Sequence, residues 1–151
     1  MPTKPKGHRL RKGRVSETGR IYLITTIVHN RKPVFSDLYP GRLLVQTIRT
    51  EQSHATTLAY AIMPDHFHWL MQLADSPDLS TVVATIKSVS AHRINHHLGQ
   101  QGNLWQAGFH DHAVRKEEDI QALARYIVAS PLRAGLVDNI GDFPLWDALW
   151  V

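Results

Sequence analysis

The period of the hydrophobic pattern changes several times along the chain, and each change marks an element. From Gly19 to Asn30 the segment "GRIYLITTIVHN" alternates, is rich in β-branched residues and is apolar on both faces, which predicts a central strand. "RKPVFSD" interrupts it as a loop, and helical spacing then predicts a helix from about Tyr39 to Gln52, with Leu43, Leu44, Thr47 and Ile48 on one side. "ATTLAYAIM" reads as a second strand, broken by Pro64 and Asp65. "HFHWLMQLA" reads as a third, antiparallel to the second. A long helix follows in "SPDLSTVVATIKSVSAHRINHHLG", with Ser80 as its cap, Leu79, Val82, Val83, Ile86, Val89 and Ile94 at helical spacing, and Gly99 and Gly102 ending it. "NLWQAGFHDHAVR" is a loop entering a fourth strand. "KEEDIQALARYIVAS" is a last helix, its acids placed in the first turn and its stripe made by Ile120, Leu123, Ala124, Ile127 and Val128. Pro131 and Gly135 terminate it.

The resulting order, βαββαβ plus one late helix, predicts an α+β fold: a ferredoxin-like antiparallel sheet with two helices on one face. Residues 1–18 lack periodicity and form a flexible basic arm, residues 19–137 the folded domain, and residues 138–151 an apolar, aromatic tail packed on it. No internal repeat is present.

The third strand poses a chemical question. Side chains alternate along a strand, so His66, His68, Leu70 and Gln72 share one face, and Phe67, Trp69, Met71 and Leu73 the other. The second set is continuous hydrocarbon and aromatic, so it belongs to the core. The two imidazoles then stand on the opposite side, where they either face solvent as ordinary surface residues or converge on one ion. His110 and His112 repeat the same spacing, so spacing alone does not single out the first pair. His96 and His97 are adjacent on a helix and diverge. On the last helix Tyr126 lies beside the apolar stripe, flanked by Ala122, Ala129 and Ser130, so its hydroxyl stays accessible.

Composition narrows the setting. The 151 residues suit one domain, and the absence of cysteine excludes disulfides and thiolate metal sites. No apolar run is long enough to span a bilayer, and no apolar segment follows the basic N-terminus as in a secretory signal, so a cytoplasmic, nucleoid-associated protein is expected. Lysine and arginine number 17 against 13 acids, and the excess is concentrated at Lys4, Lys6, Arg9, Arg11, Lys12, Arg14 and Arg20. Such a cluster suits an anionic partner such as nucleic acid, or is a solvated tail.

"MPDHFHWL", followed by "RYIVASPLRAGLV", resembles the single-tyrosine HUH transposases and, more closely, their REP-associated tyrosine transposase branch, related to single-strand insertion-sequence transposases. "GRIYLITTIVHNRKPVF", "LWQAGFHDHAVRKEEDI" and "PLWDALWV" extend the likeness over nearly the whole chain. The resemblance implies a ferredoxin-like catalytic domain that cleaves and rejoins single-stranded DNA beside palindromic hairpins. His66 and His68 would hold Mg²⁺ or Mn²⁺ and Tyr126 would be the nucleophile, through a covalent 5′-phosphotyrosine. It also implies a monomer, with a dimer left open. The family often carries an asparagine or glutamine as third metal ligand one turn after the tyrosine; Ser130 stands there, as a ligand directly or through water.

On this reading Lys6, Arg9, Arg11, Lys12 and Arg14 grip DNA phosphates, and Arg93, Arg115 and Arg133 extend the track. Trp105, Phe109 or Trp69 could stack on bases, although Trp69 falls on the core face. Two rivals remain: a non-catalytic nucleic-acid-binding module with an RNA-recognition-like sheet, and a zinc hydrolase built on His66, His68 and His110 or His112.

Overall fold

The computed structural model describes residues 19–115 and 118–148. Five strands, β1 (Ile21–Ile27), β2 (Ala55–Met63), β3 (His66–Leu73), β4 (His110–Ala113) and β5 (Trp146–Ala148), form one sheet in the order β4-β1-β3-β2-β5, every neighbouring pair antiparallel. The first four strands have the ferredoxin-like order, and β1 is interior, as its two apolar faces predict. The α+β sheet with an added late helix is therefore present. β5 is new: three residues of the aromatic tail pair with the outer edge of β2 rather than only packing on it.

Helices α1 (Leu38–Thr50) and α2 (Leu79–Leu98) cover one face of the sheet. Their buried residues, Leu44 and Ile48 from α1 and Val82, Val83 and Ile86 from α2, meet Phe67, Trp69, Met71 and Leu73 of β3 in the main core. Burying such side chains stabilises by about 1.5–3 kcal/mol each before entropy is counted. Gly41 of α1 is buried, and a Cβ there would collide with Leu145 Cδ1, so this glycine lets the tail lie against the helix. The start of α2 differs from expectation. Asp78, not Ser80, caps α2, its carboxylate accepting from the Thr81 N–H at 2.9 Å; a carboxylate is a strong acceptor at a helix start, and Ser80 is already inside the helix. Gly99, at φ 65°, ends α2 in the left-handed conformation.

The opposite face is covered differently. Helix α3 (Ile120–Val128) lays Ala124 and Ile127 on Ala59 and Ala61 of β2 and Leu70 of β3, with Val114 in the same cluster. The small Ala59 and Ala61 side chains let the helix approach the sheet closely. A four-residue helix, α4 (Ser130–Arg133), follows after Ala129.

Candidate active site

His66 and His68 are the first and third residues of β3, directly after the Pro64–Asp65 turn. Ala61 of β2 and Thr25 of β1 flank His68 in the register, and Met63 and Ile27 flank His66. Since Ala61 belongs to the cluster that α3 covers, α3 lies on the imidazole-bearing side of the sheet. The two rings meet edge to face with centroids 4.8 Å apart.

Each ring is held at Nδ1. His66 Nδ1–H donates to Asp65 Oδ1 at 2.7 Å, and His68 Nδ1 shares a 3.0 Å hydrogen bond with the Thr25 hydroxyl. A carboxylate can only accept, so neutral His66 keeps its lone pair on Nε2; the Thr25 hydroxyl can accept in the same way, which gives His68 the matching tautomer. The other Asp65 oxygen accepts from Arg31 Nη1–H at 3.1 Å. Arg31 and its neighbour Asn30 have φ of 51° and 57°, a left-handed conformation uncommon outside glycine, and that turn delivers the guanidinium to Asp65. Burial alone would raise the Asp65 pKa, but the bonds from His66 and Arg31 outweigh it and hold the carboxyl below its ordinary value. Burial, then the charges of His66 and Arg133, push His68 down to about 4, so it is neutral at ordinary pH.

Tyr126 is 62% exposed, beside the stripe that anchors α3. The Arg133 guanidinium lies over its ring, 3.7 Å from the centroid, and donates from Nη1 to the Tyr126 carbonyl oxygen at 2.6 Å and from Nη2 to Ser130 Oγ at 3.0 Å. One cation thus touches the phenol and acts electrostatically on His68. Ser130 is buried and starts α4 rather than continuing α3. Its hydroxyl oxygen already receives Arg133, a poor arrangement for a direct metal ligand. The acids before α3 also differ from expectation. None lies in its first turn; Asp119 is the cap, accepting from the Ala122 N–H at 3.1 Å, while Glu117 lies outside the described residues. An N-cap carboxylate meets the exposed N–H groups that the first turn leaves unpaired.

His110 and His112 occupy β4 on the same face, opposite Thr25 and Leu23 of β1. His112 differs from the first pair in which nitrogen is used. Its Nε2 bonds both Glu118 oxygens at 3.0 Å, and Glu118 also accepts the Arg115 N–H at 2.9 Å. Among the described residues no three His, Cys, Asp or Glu side chains stand close enough to share an ion, so the third firm ligand of the zinc-hydrolase alternative is not there.

The donor set of His66 and His68 fits a divalent cation: both rings are oriented by a second partner and both present Nε2. Two imidazoles leave most coordination positions to water and to substrate oxygens, which Mg²⁺ and Mn²⁺ accept.

Of the cationic residues expected to track DNA, Lys6, Arg9, Arg11, Lys12 and Arg14 lie outside the described residues. Arg115 is exposed at the end of β4, and Arg133 is in the site. Arg93 is not on this side. It reaches Thr47 of α1 at 3.4 Å and lines a groove with Tyr39, His92, His96 and His97 on the far helix layer, because position 93 of α2 turns toward α1. The proposed stacking residues are also corrected. Trp105, Phe109 and Trp69 are buried core residues, and Trp105 Nε1–H donates to Ser90 Oγ at 3.0 Å. Trp69, Trp105 and Phe109 are turned inward, so these three do not form the stacking platform that an RNA-recognition-like module requires. Sequence reasoning missed Thr25, Asp65, Arg31 and Glu118. Asp65 had a signal, an acid beside the first histidine; Thr25 and Arg31 are brought in only by strand register and a turn.

A family model described as "Transposase IS200 like" matches residues 18–130. A Haemophilus influenzae protein provisionally named a REP-associated tyrosine transposase is 26% identical over 137 residues, 83% of this chain and 78% of that protein. The REP-associated tyrosine transposase of Escherichia coli K12 is 30% identical over 87 residues, 57% of this chain and 50% of that protein. Among solved structures, a REP-associated tyrosine transposase bound to a REP hairpin superposes with a TM-score of 0.71 at 24% identity, over 88% of this chain and 79% of that one. A Deinococcus radiodurans protein described as a transposase gives 0.55 at 22% identity, over 74% and 91% of the two chains. These two likenesses bear on the fold alone. The family model, matched across most of the chain, carries the assignment: the protein belongs to the IS200-like transposase family, enzymes that cleave DNA and transfer its strands.

Proposed function

We propose that this chain is a metal-dependent single-strand DNA transposase that cuts and rejoins strands beside palindromic REP-type hairpins, with Tyr126 as nucleophile. The observation that supports it most directly is the pairing of two Nδ1-anchored imidazoles with a phenol-bearing helix on the same side of the sheet. His66 and His68 would hold Mn²⁺ or Mg²⁺, which when bound supplies positive charge to a scissile phosphate oxygen. Imidazole donors favour manganese of the two.

The chain's own residues account for the rest. Tyr126 Oη forms a bond to phosphorus while the bond from phosphorus to the 3′ oxygen breaks. The phenol proton passes to water or a base, and the leaving 3′ oxygen takes a proton to become a hydroxyl. The 5′ side stays on the enzyme as phosphotyrosine. Attack by a 3′ hydroxyl reverses the step, so bond energy is conserved and no nucleotide cofactor is required. Asp65 and Thr25 hold the imidazoles oriented throughout. The hairpin partner is suggested by the similarity to REP-associated proteins.

The test incubates the protein with a single strand carrying a hairpin, plus Mn²⁺ or Mg²⁺. A covalent protein–DNA adduct is expected with wild type and absent with Tyr126→Phe. Tight binding with no adduct on any hairpin substrate overturns the catalytic reading.

A further inference from the structure

Arg133 is not just one more cation on a DNA track. Its guanidinium is fixed from three directions: the Tyr126 ring beneath it at 3.7 Å, the Tyr126 carbonyl at 2.6 Å and Ser130 Oγ at 3.0 Å. A guanidinium has five N–H donors, and these two bonds engage one on each terminal nitrogen, so three are left. An arginine pinned in this way has already lost its rotamer freedom, and its planar fork matches two oxygens of a phosphodiester. Its guanidinium lies over the phenol ring, on the residue that the proposed chemistry uses as nucleophile. Among the described residues nothing acidic pairs with it, since its partners are a carbonyl, a hydroxyl and an aromatic face.

We infer that Arg133 binds the one phosphodiester that lies against the Tyr126 hydroxyl, using the donors left after Tyr126 and Ser130 are satisfied. Ser130 then serves as the residue that aims Arg133, not as a metal ligand. This inference rests on the proposed transposase reading for the identity of the strand, single-stranded DNA beside a hairpin. It goes further in naming which linkage Arg133 holds, and it makes the residue a catalytic one rather than a general phosphate contact.

The experiment separates binding from chemistry. Hairpin oligonucleotides are made with one methylphosphonate, which removes a single phosphate charge, walked across the linkages flanking the stem. Binding is measured by fluorescence anisotropy at fixed salt with EDTA present, for wild type, Arg133→Gln and Arg133→Lys, each checked for an unchanged melting temperature. Arg133→Gln is expected to weaken binding of the unmodified strand about tenfold, and one methylphosphonate to weaken wild type by a similar factor. At that linkage the two losses must not add, whereas at the others they must. In the matching cleavage assay with Mn²⁺, the coupled linkage must be the one joined to tyrosine. Arg133→Lys keeps the charge without the fork and should recover little of the coupling.

Equal additive losses at every linkage, or coupling only away from the cleaved one, overturn the inference while leaving the proposed function standing. Full recovery by lysine overturns the role of the fixed fork. Coupling at a single linkage with no adduct from wild type supports the Arg133 contact and overturns the proposed chemistry instead.

Discussion

The chain carries two His-x-His pairs on one face of one sheet, and they differ by which nitrogen is spoken for. In His66 and His68 the Nδ1 atoms are engaged by Asp65 and Thr25, so both Nε2 atoms point onward. In the second pair His112 uses Nε2 to hold Glu118, just before the cap of α3. The first arrangement orients rings for something outside the protein. The second ties the edge strand β4 to the start of the helix that carries Tyr126. Identical spacing thus gives two different parts, because the first pair meets the turn before its strand and the neighbouring β1, whereas His112 meets the segment after its strand.

The largest expected effect is a split between the pairs. His66→Ala or His68→Ala should lower the Mn²⁺-dependent rate of adduct formation about a hundredfold or more, with metal binding lost in parallel. His112→Ala should keep the rate within a few fold at saturating metal. Single-turnover cleavage across a manganese titration measures both, and an equal loss for the two pairs would erase the distinction.

How much of this contrast could be read in advance follows from what a strand pattern encodes. Alternation along β3 placed His66 and His68 away from Trp69 and Met71, and the structure agrees. Helical spacing placed Tyr126 beside the stripe of α3, where it is exposed. Partners across the sheet were not legible, because Thr25 reaches His68, 43 positions further along the chain, only through register. Arg31 needs a left-handed turn that no periodicity announces. The same limit explains Arg93 and the buried Trp105: composition marks a residue as cationic or aromatic, whereas the layer it joins depends on how helix and loop pack.

Acid should separate the pairs next. In the unfolded chain His68 takes a proton near its ordinary 6.5, but in the fold only at about 4. Between those values the unfolded state holds the extra proton, so stability falls as pH drops through this window and the loss is complete near the lower end. The full effect is about 3 kcal/mol. Glu118 runs differently. The Arg115 N–H and then His112 hold its pKa below the ordinary 4.5, so its contribution is lost only at lower pH, as pH falls through that depressed value. Urea unfolding at pH 7 and pH 4.5 should show His68→Gln losing less stability on acidification than wild type does. An equal slope would mean that His68 is not the group responsible.

Asp65 offers a more graded cut. Asp65→Asn leaves a hydrogen-bonding group beside His66 but removes the charge that selects its tautomer, and it deprives Arg31 of its ion pair. Loss of such a partner typically costs about tenfold to a hundredfold in metal affinity. Isothermal titration with Mn²⁺ should show that fall with the His68 side of the site unchanged. Thr25→Val should cost less, since a neutral hydroxyl orients its ring more weakly than a carboxylate does.

The smallest effect belongs to the second pair. Glu118 is near the surface and its bond to His112 is only partly buried, so Glu118→Gln should lower global stability by less than about 1 kcal/mol. Its informative consequence is local. If Glu118 holds the start of α3 to β4, releasing it should raise amide hydrogen exchange in the first turn of α3, at Gln121 and Ala122, and leave β3 untouched. Asp119 still caps the helix, so exchange should rise modestly rather than to the level of an unfolded segment. The same variant should bind Mn²⁺ as wild type does, because the anchors of His66 and His68 lie on β1 and the β2–β3 turn, elements that Glu118 does not touch. A change in metal affinity with no change in α3 exchange would reverse the assignment, making the second pair part of the ion site and the two His-x-His motifs alike after all.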